Sequence, residues 1–140
     1  MAALMSNRTG GKADDDQQTL AGLRILLVED EFLIAHDMAE FLEQCGASVI
    51  LAHTLAEGMA LFTQHRAGLG VAVLDINLNG YEVLPLADMV RDAGVPIVLH
   101  SAEVKLLERL DERFPGVAIL DKPALHSELR DAVAQQVGRS

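Results

Sequence analysis

Two groups of acidic residues stand directly after short apolar runs. Val71–Leu74 leads into Asp75, and Ile25–Val28 leads into Glu29, Asp30 and Glu31. Apolar runs of this length, bounded by polar residues, are typical of strands buried on both faces of a parallel sheet. Because open α/β folds bind ligands where their strands end, adjacent strands would bring these carboxylates together. An isolated Asp is more often a turn or cap residue, and the second acidic group is what favours a chemical role.

Carboxylates placed this close together predict a bound cation. Like charges raise each other's pKa unless an opposite charge compensates them. A hard divalent ion with oxygen ligands would do so for Glu29, Asp30 and Asp75. Mg²⁺ suits a few carboxylates, water and a phosphate better than Ca²⁺, which needs a fuller oxygen cage.

Two further polar residues follow apolar strands later in the chain. Ser101 comes after the run 96–100, and Lys122 comes after the run 117–120 and one aspartate. A carboxylate can take up a phosphoryl group as an acyl phosphate, and a lysine and a hydroxyl can bind its oxygens. Taken singly, Lys122 could be a surface lysine, Ser101 a helix cap, and the acids at residues 29 and 30 a helix start. Their joint occurrence at four strand ends favours one phosphoryl-binding site.

The elements that would position these residues alternate regularly. Strands are predicted near residues 24–28, 48–52, 71–75, 96–100 and 117–120, and helices near 31–45, 54–65, 84–93, 103–114 and 125–137. Thr54 and Glu57 form a capping-box pattern at the second helix, and Pro85 fits the first turn of a helix that begins near Leu84. Five strand–helix pairs predict an α/β domain with a parallel sheet covered on both faces.

Composition limits the possible functions. The net charge of −10 and the lack of a basic cluster argue against nucleic-acid binding. No apolar run is long enough to span a membrane, and the N-terminus lacks a signal-peptide pattern. A single cysteine, Cys45, excludes an internal disulfide, fits a cytoplasmic location and is predicted to be a buried thiol. Residues 1–21 are polar and aperiodic and are predicted to be a disordered tail before a domain at 22–140.

As a set, these motifs resemble the receiver domain of bacterial two-component response regulators. The resemblance extends over about residues 23–138 and rests on Ile25–Glu31, Val73–Leu78, His100–Ala102 and Leu120–Pro123. It implies the flavodoxin-like doubly wound fold, with five parallel strands in the order 2-1-3-4-5.

The resemblance also implies roles for the acidic residues. Asp75 would be the phosphoacceptor and one of the Mg²⁺ ligands. Asp30 would bind Mg²⁺ directly, Glu29 through water, and Asn77 through its backbone carbonyl.

The remaining family positions are partly matched. Ser101 corresponds to the switch hydroxyl and Lys122 to the phosphoryl-binding lysine, and the Lys122–Pro123 peptide is often cis in the family. Ile119 stands where the family usually has Tyr or Phe, three residues before the lysine. The usual rotation of that aromatic ring therefore cannot transmit the signal here.

The implied function is phosphoryl transfer from a sensor histidine kinase or phosphotransfer protein onto Asp75, followed by altered binding to a partner protein. Such a domain catalyses only its own phosphorylation and dephosphorylation. The chain has no room for an output domain, so it is expected to be a stand-alone receiver or a piece of a longer protein. The first helix near Phe32 and Leu33 is a candidate kinase-binding surface.

Three alternatives remain. A pseudo-receiver that binds partners without phosphorylation would normally have lost an acid or the lysine. A haloacid-dehalogenase-type phosphatase would need a second Asp where Asn77 stands, and a dinucleotide-binding enzyme would need a Gly-rich turn in place of Glu29–Glu31. His100 adjoins the site, but strand alternation should turn it away from the side of Ser101, so it is interpreted as structural.

Overall fold

The computed structural model describes residues 19–78, 81–102 and 112–138, with residues 77, 78, 81 and 82 described by their backbone alone. Its centre is a parallel sheet of five strands in the order β2-β1-β3-β4-β5, which confirms the predicted order. The strands are β1 Arg24–Val28, β2 Ser48–Ala52, β3 Val71–Asp75, β4 Ile97–Ser101 and β5 Ala118–Asp121. Two-residue strands at Asn77–Leu78 and Tyr81–Glu82 pair antiparallel directly after β3.

Four helices of the described chain cover the sheet: α1 Phe32–Gln44, α2 Leu55–His65, α3 Leu84–Asp92 and α4 His126–Gly138. Side chains of α1 and α4 pack on one face of the sheet, and side chains of α2 and α3 pack on the other. Every residue of β3 is buried, as expected for a strand covered on both faces. The acidic strand ends are thereby held at one edge of a rigid core.

Local signals in the sequence set several element boundaries. Thr54 caps α2 by accepting a hydrogen bond from the backbone N–H of Glu57 at 3.0 Å. The Glu57 carboxylate in turn accepts from the N–H of His53 at 2.6 Å, one residue earlier than in a standard capping box. Pro85 lies in the first turn of α3. Gly46 follows α1 with φ 101°, a conformation that strongly favours glycine.

The packed part of the chain begins earlier than predicted. Residues 1–18 lie outside the described residues, but Thr19–Gly22 form a turn. Leu20 is 3% exposed, and its N–H donates to the carbonyl of Cys45 at 2.9 Å. Leu20 therefore packs against the domain although one leucine in a polar stretch gives no periodic signal, and the disorder of the tail stays a prediction.

Most of the helix predicted at 103–114 also lies outside the described residues. Of its last part, Glu112 and Arg113 are helical and Phe114 is buried. Cys45 is buried, as predicted. None of the described helices is both long enough and apolar enough to cross a membrane.

The cap of α2 gives a direct stability test. We expect Thr54→Ala to destabilise the fold by about 1 kcal/mol, because the backbone N–H of Glu57 loses its acceptor. Thr54→Ser should retain most of the stability. Thr63→Ala is the matched control, because this exposed threonine of the same helix bonds only the carbonyl of Met59. Urea unfolding monitored by circular dichroism measures all three, and equal losses for Thr54→Ala and Thr63→Ala would contradict the capping role.

Candidate functional site

Glu29, Asp75 and Lys122 meet at the carboxyl edge of the sheet. They follow or end β1, β3 and β5, and the parallel pairing of the sheet brings these strand ends to the same edge. Lys122 Nζ lies 3.0 Å from Asp75 Oδ2 and 3.0 Å from Glu29 Oε2. It also donates a hydrogen bond to Glu29 Oε1 at 3.2 Å. One ammonium group thus bridges two carboxylates that come from different strands.

The bridge is nearly inaccessible to solvent. The side chains of Glu29 and Asp75 are 1% and 4% exposed, and that of Lys122 is 15% exposed. Burial and the charge of Asp75 together raise the pKa of Glu29 to about 7, against the lowering effect of Lys122. Burial lowers the pKa of Lys122, but its two carboxylate partners outweigh burial and raise it above the ordinary value. Two negative charges therefore share one compensating cation in a dry environment.

Asp30 completes an oxygen-rich cluster. One carboxylate oxygen from each of Glu29, Asp30 and Asp75 lies within 4.8 Å of the others. Glu29 Oε2 accepts no hydrogen bond from the described part of the chain, although the ammonium of Lys122 lies 3.0 Å away. Three carboxylates against one lysine leave negative charge uncompensated, and an all-oxygen donor set is what Mg²⁺ prefers. The residues present fit a divalent cation.

Ser101 lies at the predicted edge as well. It ends β4, is 2% exposed and pairs with Asp121 of β5. Its carbonyl accepts a hydrogen bond from the backbone N–H of Lys122 at 2.9 Å, which fixes the start of the loop that carries the lysine. The Lys122–Pro123 peptide is cis.

Asn77 and Ile119 are two further positions of the family motifs, of which Ile119 departs from the usual residue type. Asn77 begins the short antiparallel pair that follows β3, so its backbone lies two residues beyond Asp75. Its assignment as a metal ligand through the carbonyl stays a prediction. Ile119 pairs with Leu99 in the sheet and packs against the core that lies under α2 and α3.

His100 is the residue whose surroundings the sequence did not predict. It pairs in register with Asp75, and its side chain is 5% exposed. Its Nδ1 lies 3.9 Å from Glu29 Oε2. Alternation along β4 does place the side chains of His100 and Ser101 on opposite faces of the sheet. The Glu29 carboxylate, however, lies close to the face that His100 occupies. The signal that was available is the parallel register, which places His100 beside Asp75.

Burial and the charge of Lys122 lower the pKa of His100 to about 4. Neither ring nitrogen has a hydrogen-bond partner among the described residues. A buried polar group without a partner is uncommon in folded proteins, so the ring adds to the unfavourable electrostatics of this edge.

The surface beside the site is partly apolar. Phe32 and Leu33, at the start of α1, are 61% and 81% exposed, and Leu125 is 66% exposed. Phe32 contacts the rings of His36 and His53, with centroids 4.2 and 5.5 Å away. His53 Nδ1 lies 3.1 Å from the carbonyl oxygen of Glu29. An exposed aromatic cluster therefore adjoins the acidic edge.

The pKa values of Glu29 and His100 predict opposing pH effects in metal-free protein. Because folding raises the pKa of Glu29 from 4.5 to about 7, its stabilising contribution is complete below pH 4.5 and is lost as the pH rises through 7. Folding lowers the pKa of His100 from 6.5 to about 4, so its contribution is complete above pH 6.5 and is lost as the pH falls through 4. Between pH 4.5 and 6.5 the two effects should largely cancel.

Single substitutions should separate these effects. Glu29→Gln should make the protein less stable as the pH falls from 6.5 to 4.5, whereas His100→Leu should make it less stable as the pH rises from 4.5 to 7. Urea unfolding in the presence of a chelator measures both. Identical pH slopes for the two variants would contradict the assigned shifts.

Solved structures of similar fold are receiver domains. A response regulator receiver protein from Sinorhizobium medicae superposes with a TM-score of 0.75 at 26% identity, covering 84% of this chain and 95% of the other. Receiver domains from Clostridium thermocellum and Methanospirillum hungatei give TM-scores of 0.74 and 0.73 at 21% and 23% identity, each covering 84% of this chain and 95% and 94% of the other.

No protein-family model matches the chain, and no curated protein matches it. The similarity to receiver domains therefore rests on the structure. The strand order of the sheet and the large share of each chain that superposes both support it. The chain has the fold of a response-regulator receiver domain.

Proposed function

We propose that the protein is a phosphoacceptor of a two-component phosphorelay, with Asp75 as the residue that is phosphorylated. The observation that carries this proposal is the bridge from Lys122 to Asp75 and Glu29, with Asp30 beside them. Lys122 contacts two carboxylates from different strands, and the oxygen cluster that these two form with Asp30 carries more negative charge than one lysine compensates. Such an excess of negative charge is costly unless the site serves a ligand.

In the proposed reaction an Asp75 carboxylate oxygen attacks phosphorus in a phosphohistidine of a kinase or phosphotransfer protein. The new bond is O–P, the N–P bond breaks, and the imidazole nitrogen leaves with the electron pair. Lys122, already 3.0 Å from Asp75 Oδ2, would bind a phosphoryl oxygen. Ser101, at the end of the neighbouring strand, would donate its hydroxyl to another. The protein acts as a signalling component that catalyses its own phosphorylation and dephosphorylation.

Glu29, Asp30, Asp75 and the backbone carbonyl of Asn77 would hold Mg²⁺. When bound, the ion neutralises charge between the carboxylates and the phosphoryl oxygens. Because the pKa of Glu29 is raised to about 7 in metal-free protein, a bound cation would favour the ionised form of its carboxyl group. This donor set consists of oxygen atoms alone and suits no thiol- or imidazole-selective metal.

The output would be a change in binding to another protein. Phe32 and Leu33 are exposed beside the site, where an incoming kinase helix would find apolar contacts. Ile119 cannot act as a rotating aromatic, so the bound phosphoryl group must alter the surface through other side chains. The net charge of −10 disfavours nucleic-acid binding, and the single cysteine agrees with the proposed cytoplasmic location.

Phosphorylation can be tested by intact mass. Incubation with acetyl phosphate and Mg²⁺ should add a single phosphoryl group to the wild type and none to Asp75→Asn, because the amide is not a nucleophile. Asp131→Asn is the matched control, since this exposed carboxylate of α4 pairs with Arg130 and should leave the adduct unchanged.

The same experiment separates the phosphoacceptor from a pseudo-receiver. A folded wild-type protein that gains no adduct with either acetyl phosphate or a phosphorylated phosphotransfer protein would favour phosphorylation-independent binding to a partner. An adduct that survives in Asp75→Asn would mean that another residue is the acceptor.

Metal binding has an independent readout in thermal stability. Mg²⁺ should raise the unfolding temperature of the wild type. At an Mg²⁺ concentration a hundred times its Kd, binding should add about 2.7 kcal/mol to the free energy of unfolding. Asp30→Asn should require a higher Mg²⁺ concentration for the same shift, because one carboxylate ligand is lost. Glu31→Gln removes the adjacent exposed carboxylate and should behave as the wild type. Equal responses of Asp30→Asn and wild type would contradict the assignment of Asp30.

A further inference from the structure

Two buried polar atoms face each other at the acidic edge without forming a hydrogen bond. His100 Nδ1 lies 3.9 Å from Glu29 Oε2, about 1 Å farther than in a usual N–H···O hydrogen bond. The two side chains are 5% and 1% exposed, and neither atom has a hydrogen-bond partner in the described part of the chain. Because a buried polar atom without a partner is costly, each of these two atoms is placed to satisfy the other.

The chemistry of the two groups is complementary. A neutral imidazole has one N–H donor and one acceptor nitrogen, whereas an ionised carboxylate only accepts. Burial and the charge of Lys122 lower the pKa of His100 to about 4, so its ring is neutral near pH 7. A hydrogen bond to an ionised Glu29 therefore requires the ring proton on Nδ1, the nitrogen that lies 3.9 Å from Oε2.

Both side chains extend from backbone that the sheet holds in place. His100 pairs with Asp75 in the parallel ladder, and its carbonyl accepts a hydrogen bond from the N–H of Ile76 at 3.0 Å. The N–H of Glu29 donates to the carbonyl of Ala52 at 3.0 Å. Because both backbones are held, rotation about side-chain bonds is the movement that can close the remaining distance.

The two oxygens of the Glu29 carboxylate differ in their donors. Oε1 accepts from the backbone N–H of Glu31 at 3.2 Å and from Lys122 at 3.2 Å. Among the described basic side chains, Lys122 and His100 are the two that come close to Oε2. If Lys122 turns to a phosphoryl oxygen, Oε1 therefore keeps the N–H of Glu31, whereas Oε2 depends on His100.

We propose that His100 is a positioning residue, whose Nδ1–H donates a hydrogen bond to Glu29 Oε2 and holds this carboxylate in place when Lys122 turns to a phosphoryl group. The part that concerns Lys122 rests on the proposed function, whereas the hydrogen bond itself needs no phosphorylation. Hydrogen bonds that orient metal-binding side chains commonly tune the affinity for the metal. Since His100 acts through Glu29, its loss should weaken the binding of Mg²⁺.

The position of the ring proton is the first test. Long-range ¹H–¹⁵N NMR spectra of the wild type should place the proton of His100 on Nδ1, although the neutral ring of free histidine prefers Nε2. The variant Lys122→Met imitates the departure of the ammonium group. With Mg²⁺ present, its His100 Nδ1 proton should move downfield relative to the wild type, because the hydrogen bond to Glu29 shortens.

Two amide side chains distinguish the two ring nitrogens. The amide of Asn reaches about as far as Nδ1, whereas that of Gln reaches about as far as Nε2. Calorimetric titration should give an Mg²⁺ Kd roughly tenfold higher for His100→Leu and His100→Gln than for the wild type. His100→Asn should restore most of the affinity. His65→Leu, at the far end of α2, is the matched control and should bind Mg²⁺ as the wild type does.

Four results would each overturn the proposal: a ring proton on Nε2 in the wild type, an Nδ1 proton that does not move in Lys122→Met, unchanged Mg²⁺ affinity in His100→Leu, or equal rescue by Asn and Gln. The wild-type spectrum decides the hydrogen bond even if a variant fails to fold. Failure of the proposed function has a separate signature, because the wild type would then gain no phosphoryl group from acetyl phosphate while its ring proton stays on Nδ1.

Discussion

The contact of Lys122 with both Glu29 and Asp75 is the interaction on which the site depends. The two carboxylates are almost fully buried, and neither could remain ionised there without an opposite charge. The lysine reaches them only because β5 lies two strands away from β3, beyond β4, and ends at the same edge. Its backbone N–H is tied to the carbonyl of Ser101. The charge arrangement is thus a consequence of strand order and register.

Apolar packing in the rest of the sheet compensates for the free-energy cost of burying these two carboxylates. All five residues of β3 are buried, and apolar side chains from four helices pack on the two faces. Burial of apolar area stabilises such a core by roughly 25 cal/mol per Å², which offsets the unfavourable charges at one edge. Glu29 and Asp75 stand at the edge where this apolar packing ends. Functional sites commonly concentrate unfavourable electrostatics of this kind.

Much of the fold could be predicted because local signals agreed with one another. The apolar-to-acid transitions at Val28 and Leu74 marked two strand ends, and Pro85 marked the first turn of α3. The resemblance then supplied the strand order. Leu20 gave no signal because a single buried leucine has no period. The environment of His100 was missed because alternation predicts which face a side chain occupies, but not which distant side chains it meets there.

His100 also shows why the site cannot be understood from its acids alone. In an all-carboxylate edge, a bound cation would satisfy every uncompensated group. Here a buried imidazole, whose Nδ1 lies 3.9 Å from Glu29 Oε2, faces the same edge, and an additional positive charge would further disfavour its protonated form. Cation binding and satisfaction of the imidazole are therefore separate requirements. The acidic cluster suits the first requirement, whereas the ring nitrogens have no hydrogen-bond partner in the described part of the chain, a cost that the packed sheet must offset.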